Sequence, residues 1–136
     1  MKINDYKIQK YTKYINSNLS IYQKIFLYKD RGLLYLEKNL FTKAIDDFTQ
    51  NIELSKAVNK KKGRKLFTNR ELGVAYFYRG YAYAKTNYLK LAIEDFDKAA
   101  KLNPLSFNRN MINKLEGEIK DILKTKLSLL KLFFLE

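Results

Sequence analysis

Histidine and cysteine are both absent from this chain of 136 residues, tryptophan is absent too, and only one proline occurs, Pro104. Without histidine the commonest general base is missing, and without cysteine there is neither a thiol nucleophile nor a thiolate metal site. Zinc would have to rest on carboxylates alone, and the sequence supports neither a metal nor a cofactor. Disulfide stapling is excluded as well, which fits a reducing compartment and equally a periplasmic protein that needs no bridge. The five glycines form no clustered phosphate-cradling loop. Adjacent carboxylates such as Asp46 with Asp47 and Glu94 with Asp95 point in different directions on a helix, so they read as structural and not as an acid pair. Catalysis is therefore not expected.

Long apolar runs are also scarce. The most apolar tract, Leu127 to Leu135, is broken by Lys131 and is far shorter than the roughly 20 residues a membrane-crossing helix needs. The first twenty residues carry Lys2, Asp5, Lys7, Lys10 and Lys13 among their apolar positions and offer no signal-peptide core. A cytoplasmic location is the expectation. Acidic residues are outnumbered, 14 against 27 lysines and arginines, and the formal charge of +13 should draw the protein toward anionic partners.

What the chain does have is a repetition. Tyr28, Arg31, Gly32, Tyr35, Asn39, Ala44, Ile45, Asp47, Phe48 and Leu54 recur in order as Tyr76, Arg79, Gly80, Tyr83, Asn87, Ala92, Ile93, Asp95, Phe96 and Leu102, each pair 48 positions apart. Tandem copies of this length indicate helical units that share a core neither could bury alone. In the first copy, Ile21, Ile25, Tyr28, Gly32 and Tyr35 mark one face of a helix opened by a capping box at Ser20 and Gln23. A turn at Asn39 and Leu40 leads to a second, antiparallel helix through Phe41, Ala44, Ile45, Phe48 and Ile52. The second copy starts at Thr68, boxed by Glu71, turns at Thr86 and Asn87, and ends at Pro104. Gly32 and Gly80 are expected at the closest approach of their hairpins, facing Ala44 and Ala92. Arg31 with Asp47 and Arg79 with Asp95 share a spacing that predicts an ion pair across each hairpin.

Gly80, Ala92, Phe96, Ala99 and Pro104, with the tract AIEDFDKAAKLNP, resemble the tetratricopeptide repeat, a unit of 34 residues. Gly32, Ala44 and Phe48 fit the same pattern, while Asn51 and Lys56 replace its later alanine and its proline. The resemblance spans Ile21 to Pro104 and implies an all-α solenoid of helical hairpins with an extended connection, since a spacing of 48 leaves about 14 residues more than the family's unit. The predicted organisation is one domain: an N-terminal helical segment (1–19), repeat 1 (20–56), a basic insertion forming a protruding tip (57–67), repeat 2 (68–104) and a C-terminal capping helix (105–136).

The resemblance further implies a non-enzymatic adaptor that binds a peptide or partner protein, acidic or amphipathic in character, in a concave groove. The first helix of each repeat would line it through Phe26, Lys29, Leu33, Leu36 and Glu37, then Val74, Phe77, Tyr81 and Lys85. Leu33 and Tyr81 stand where carboxylate-gripping members of the family carry asparagines, so that activity is not carried over. The competing expectation is that a terminal helix fills the groove. The alternative function is a nucleic-acid-binding accessory protein using Lys60, Lys61, Lys62, Arg64 and Lys65 around Phe67, although such charge runs are more often simply solvated. Leu129, Leu130, Phe133 and Phe134 exceed what one contact face needs, so either this end folds back into the domain or another chain covers it, as in a homodimer through the C-terminal helix.

Overall fold

The computed structural model describes residues 2–63 and 67–133, together with the backbone but not the side chain of Phe134. These residues form six helices and no strand: α1 (Ile3–Ile15), α2 (Ile21–Glu37), α3 (Phe41–Lys62), α4 (Asn69–Lys85), α5 (Leu89–Leu102) and α6 (Arg109–Phe134). Each packs on its neighbours in chain order, with α2 on α3 and α4 on α5 as the tightest pairs. The fold is the all-α stack of hairpins that the repetition indicates and that the resemblance to the tetratricopeptide repeat implies.

Local chemistry explains where the helices begin and turn. Ser20 and Gln23 form a reciprocal cap: the Gln23 amide donates to Ser20 Oγ and the Ser20 amide donates to Gln23 Oε1 at 3.1 Å. Thr68 and Glu71 repeat it at α4, where the Thr68 amide donates to Glu71 Oε2 at 2.7 Å. Both hairpin turns pass through an asparagine in the left-handed region, Asn39 at φ 58° and Asn87 at φ 67°. The residue after each returns its amide to the helix just ended, Leu40 to the Tyr35 carbonyl (2.8 Å) and Tyr88 to the Tyr83 carbonyl (2.9 Å). This is the Schellman closure, for which asparagine is the tolerated substitute for glycine.

Close approach is what the repeated glycines provide, but against other residues than the alanines. A methyl placed on Gly32 would lie 3.1 Å from the Phe48 ring and 3.3 Å from Asp47 Cβ; on Gly80 it would lie 3.1 Å from both Asp95 Cβ and the Phe96 ring. The glycine thus makes room for the Asp–Phe pair, while Ala44 and Ala92 are themselves fully buried. Gly73 is tighter still, its added methyl only 2.7 Å from Asn103 Cβ. Asn103 is buried there because it joins three segments, donating from Nδ2 to the Arg70 carbonyl (3.1 Å) and accepting the Ser106 amide (3.3 Å).

Both arginines pair as the spacing predicts. Arg31 grips Asp47 through Nε (2.8 Å) and Nη2 (2.7 Å), and Arg79 grips Asp95 through the same atoms (2.8 and 2.9 Å). The aspartates are buried, and two parallel bonds satisfy each carboxylate in place of water. The free fork of each arginine then reaches the preceding helix: Arg31 Nη1 donates to Thr12 of α1 (3.0 Å), and Arg79 Nη1 to Thr49 of α3 (3.2 Å). Ile8, Thr12 and Ile15 are spaced as Ile45, Thr49 and Ile52 are, and are buried alike. In register, α1 is a second helix of a hairpin unit and α6, correspondingly, a first helix.

Part of the extra length between the repeats prolongs α3. α3 runs on to Lys62, beyond the expected repeat boundary at residue 56, and closes at Gly63 with φ 64°. Its added turns bury Val58 against the start of α2, where Ile25, Val58 and Phe67 form a second small core. Asn51, the substitute for the family's later alanine, donates to the Ile25 carbonyl at 2.9 Å. Asn59 fixes Phe67 from both sides, donating to its carbonyl and accepting its amide, both at 2.9 Å.

Candidate functional site

The concave side holds an open groove of about 710 Å³ bounded by α2, α4, α5 and α6. Leu33, Leu36 and Glu37 form one wall, Phe77, Tyr78 and Tyr81 the other, with Phe96 at the floor and Met111 and Leu115 of α6 closing one side. The lining is apolar and aromatic. Neither terminal helix fills it: α1 packs on the far side of α2, held by Asn4 donating to Glu37 Oε2 (2.7 Å) and by the Lys38–Asp5 pair.

The positions expected to line a groove separate into three groups. Leu33, Leu36, Glu37, Phe77 and Tyr81 are brought together around it. Phe26 instead tilts against Phe67, with ring centroids 5.7 Å apart, and Lys29 lies 5.6 Å over the Phe26 ring, so both belong to the other end of α2. Val74 borders a separate, polar depression beside Thr68, Glu71 and Asn103. Lys85 caps the groove's aromatic edge, its ammonium 5.5 Å from the Tyr81 ring.

Within the groove, Phe77 and Tyr81 have different duties. Phe77 stacks on Phe107 at 4.3 Å and touches Phe96 and Tyr78 at 5.4 and 5.6 Å, which makes it part of the core as much as of the surface. Tyr81 is 40% exposed, braced only at its edge by Phe41 (6.3 Å). Met111 and Leu115 border the groove from the helical face of α6 that also carries Ile112 and Ile119. Only the placement of α6 beside α4 turns their edge of that face toward the groove.

Of the basic cluster, Lys60, Lys61 and Lys62 are exposed in the last turn of α3, where cations favour the helix dipole whatever else they do. Arg64 and Lys65 lie outside the described residues. Phe67 is buried between Tyr22 and Phe26, so its ring is not offered to a base. Leu129, Leu130 and Phe133 are exposed on α6, and the side chain of Phe134 lies outside the described residues. Among the described residues no cluster of acidic side chains could hold a metal ion, and no helix is long and apolar enough to cross a membrane.

One further polar pair marks the α5–α6 seam. Glu116 is buried with Oε1 lacking a hydrogen-bond partner, and its carboxyl lies beside Asp97, which Arg109 holds at 2.8 Å. Burial, together with the Asp97 carboxylate, pushes Glu116 up to about 7, while Asp97 is lowered by its bonds to Glu116 and Arg109.

Residues 73–106, from inside α4 to just past Pro104, match the family model of the tetratricopeptide repeat. With six helices stacked in adjacent pairs and a second, divergent copy in α2 and α3, the protein is a tetratricopeptide-like helical solenoid. Repeats of this kind serve protein–protein interaction in general. No curated protein matches the chain.

Proposed function

We propose that the protein is a non-enzymatic adaptor whose groove receives a short amphipathic segment of a partner protein. The observation that carries this reading is the open apolar cleft between α2 and α4, bounded by side chains that a monomer gains nothing by leaving wet. Two or three apolar anchors spaced along a helix or an extended strand would fill it and bury the exposed part of Tyr81. Lys85 beside Tyr81, on a protein of charge +13, favours acidic residues flanking those anchors.

Panning a displayed peptide library against the full chain tests this directly. Selected peptides should carry apolar anchors with acidic flanks and should lose roughly tenfold or more in affinity to Tyr81→Ala or Leu36→Ala. Phe26→Ala, outside the groove, should bind as the native protein does. Peptides indifferent to Tyr81 and Leu36 would remove the groove from the proposal.

A further inference from the structure

The apolar stripe that seats α6 on the domain does not stop where the packing stops. Ile112, Leu115, Ile119 and Leu123 lie against the core, and the last tie is Lys126 Nζ donating to Asn87 Oδ1 at 2.8 Å. Leu127, Leu130 and Phe133 continue the stripe at helical spacing with nothing beneath them, 57%, 52% and 85% exposed. From Lys126 to Phe134 the helix runs on for about 12 Å at the usual rise. Lys124 and Lys131, seven residues apart, line one flank of this overhang, and no acidic residue occurs between Asp121 and Glu136.

We propose that the overhang of α6 binds an anionic lipid surface, lying in the plane of the headgroups. An apolar face bordered by lysines and free of carboxylates is what an interfacial helix requires: leucines and phenylalanine enter the acyl boundary while lysine stems reach back to the phosphates. The segment is too short and too charged to span, so it lies along the surface. A second copy fits less well, because pairing two overhangs brings Lys124, Lys126 and Lys131 of both chains together on proteins already at +13. The same charge draws the domain toward acidic headgroups. This inference is independent of what the groove binds.

The experiment is sedimentation of the full chain with vesicles of phosphatidylcholine alone or mixed with phosphatidylglycerol, at low and high salt, beside light scattering without vesicles. The expected result is binding to the mixed vesicles that weakens with salt, falls by roughly tenfold in Leu130→Glu and in Phe133→Glu, and falls by about fivefold in Lys124→Gln and in Lys131→Gln. These side chains are exposed, so circular dichroism and melting should remain native. Absence of binding overturns the proposal. Binding unchanged in Leu130→Glu and Phe133→Glu overturns it too, assigning attachment to the general basic surface. A dimer in light scattering that Leu130→Glu dissolves makes the occupant a second copy and likewise overturns it.

Discussion

Glu116 stands against Asp97 where each earlier unit sets an arginine against a threonine. Ile112, Glu116, Gly117 and Ile119 keep the spacing of Ala75, Arg79, Gly80 and Ala82, and Asp97 lies in the second repeat where Thr49 lies in the first. The interhelix contact made by Arg79 and Thr49 at 3.2 Å is thus rewritten in α6 as two carboxyl groups, and one of them holds a proton near neutrality.

The sign of the resulting pH dependence follows from that proton. Glu116 is raised in the folded protein from the ordinary 4.5 to about 7, so the folded state binds the proton more tightly and stability falls as pH rises between these values. Asp97, Arg109 and Lys120 are the charged groups acting on it. Glu116→Gln should therefore be more stable than the native protein at pH 8 by on the order of 1–3 kcal/mol and show little difference at pH 4. Urea titrations at the two pH values measure this; an equal gain at both would dissociate it from the proton.

Asp95 and Asp97 lie two positions apart on α5 and should respond in opposite ways. Asp95→Asn leaves Arg79 buried without its counter-charge, at a cost of about 3–5 kcal/mol. Asp97→Asn gives up the exposed pair with Arg109, worth about 0–1 kcal/mol, and exchanges the carboxylate beside Glu116 for a neutral amide, which relieves Glu116 of a like charge. Chemical denaturation of both variants at neutral pH distinguishes them.

Gly73 and Gly117 predict opposite responses to one methyl group. Gly73→Ala drives a carbon against Asn103 Cβ and should destabilise by about 1–3 kcal/mol. At Gly117 nothing lies within 4 Å, so Gly117→Ala should stabilise α6 by about 0.5–1 kcal/mol. Thermal melting of the two single variants tests both signs.

Asn59 fastens Phe67 through two hydrogen bonds, one in each direction. Asn59→Ala leaves both backbone groups of Phe67 without these partners and should cost about 1–3 kcal/mol. Hydrogen exchange at the Phe67 amide should rise well before the amides of α5 are affected. Simultaneous loss of protection throughout would mean that the second small core has no separate existence.

The hairpins, both capping boxes and both arginine pairs were legible in the sequence because each rests on short, repeated spacing. Half of the groove was legible too: Leu33, Leu36 and Tyr81 follow from the repeat pattern. Phe26 and Val74 lie away from the groove for a physical reason: Phe26 packs on the buried Phe67, and Val74 borders the depression beside Asn103. The partner of Gly73 was illegible because Asn103 reaches it only after α5 has ended, through bonds to Arg70 and Ser106. The burial of Glu116 was illegible because only the packing of α6 on α5 turns it inward.

The half-unit offset at both ends, with α1 in the register of a second helix and α6 in that of a first, means that any whole hairpin spliced between α3 and α4 would find a matching neighbour on each side. Such an insertion would lengthen the stack by one hairpin while leaving α1 and α6 packed against neighbours of the same kind.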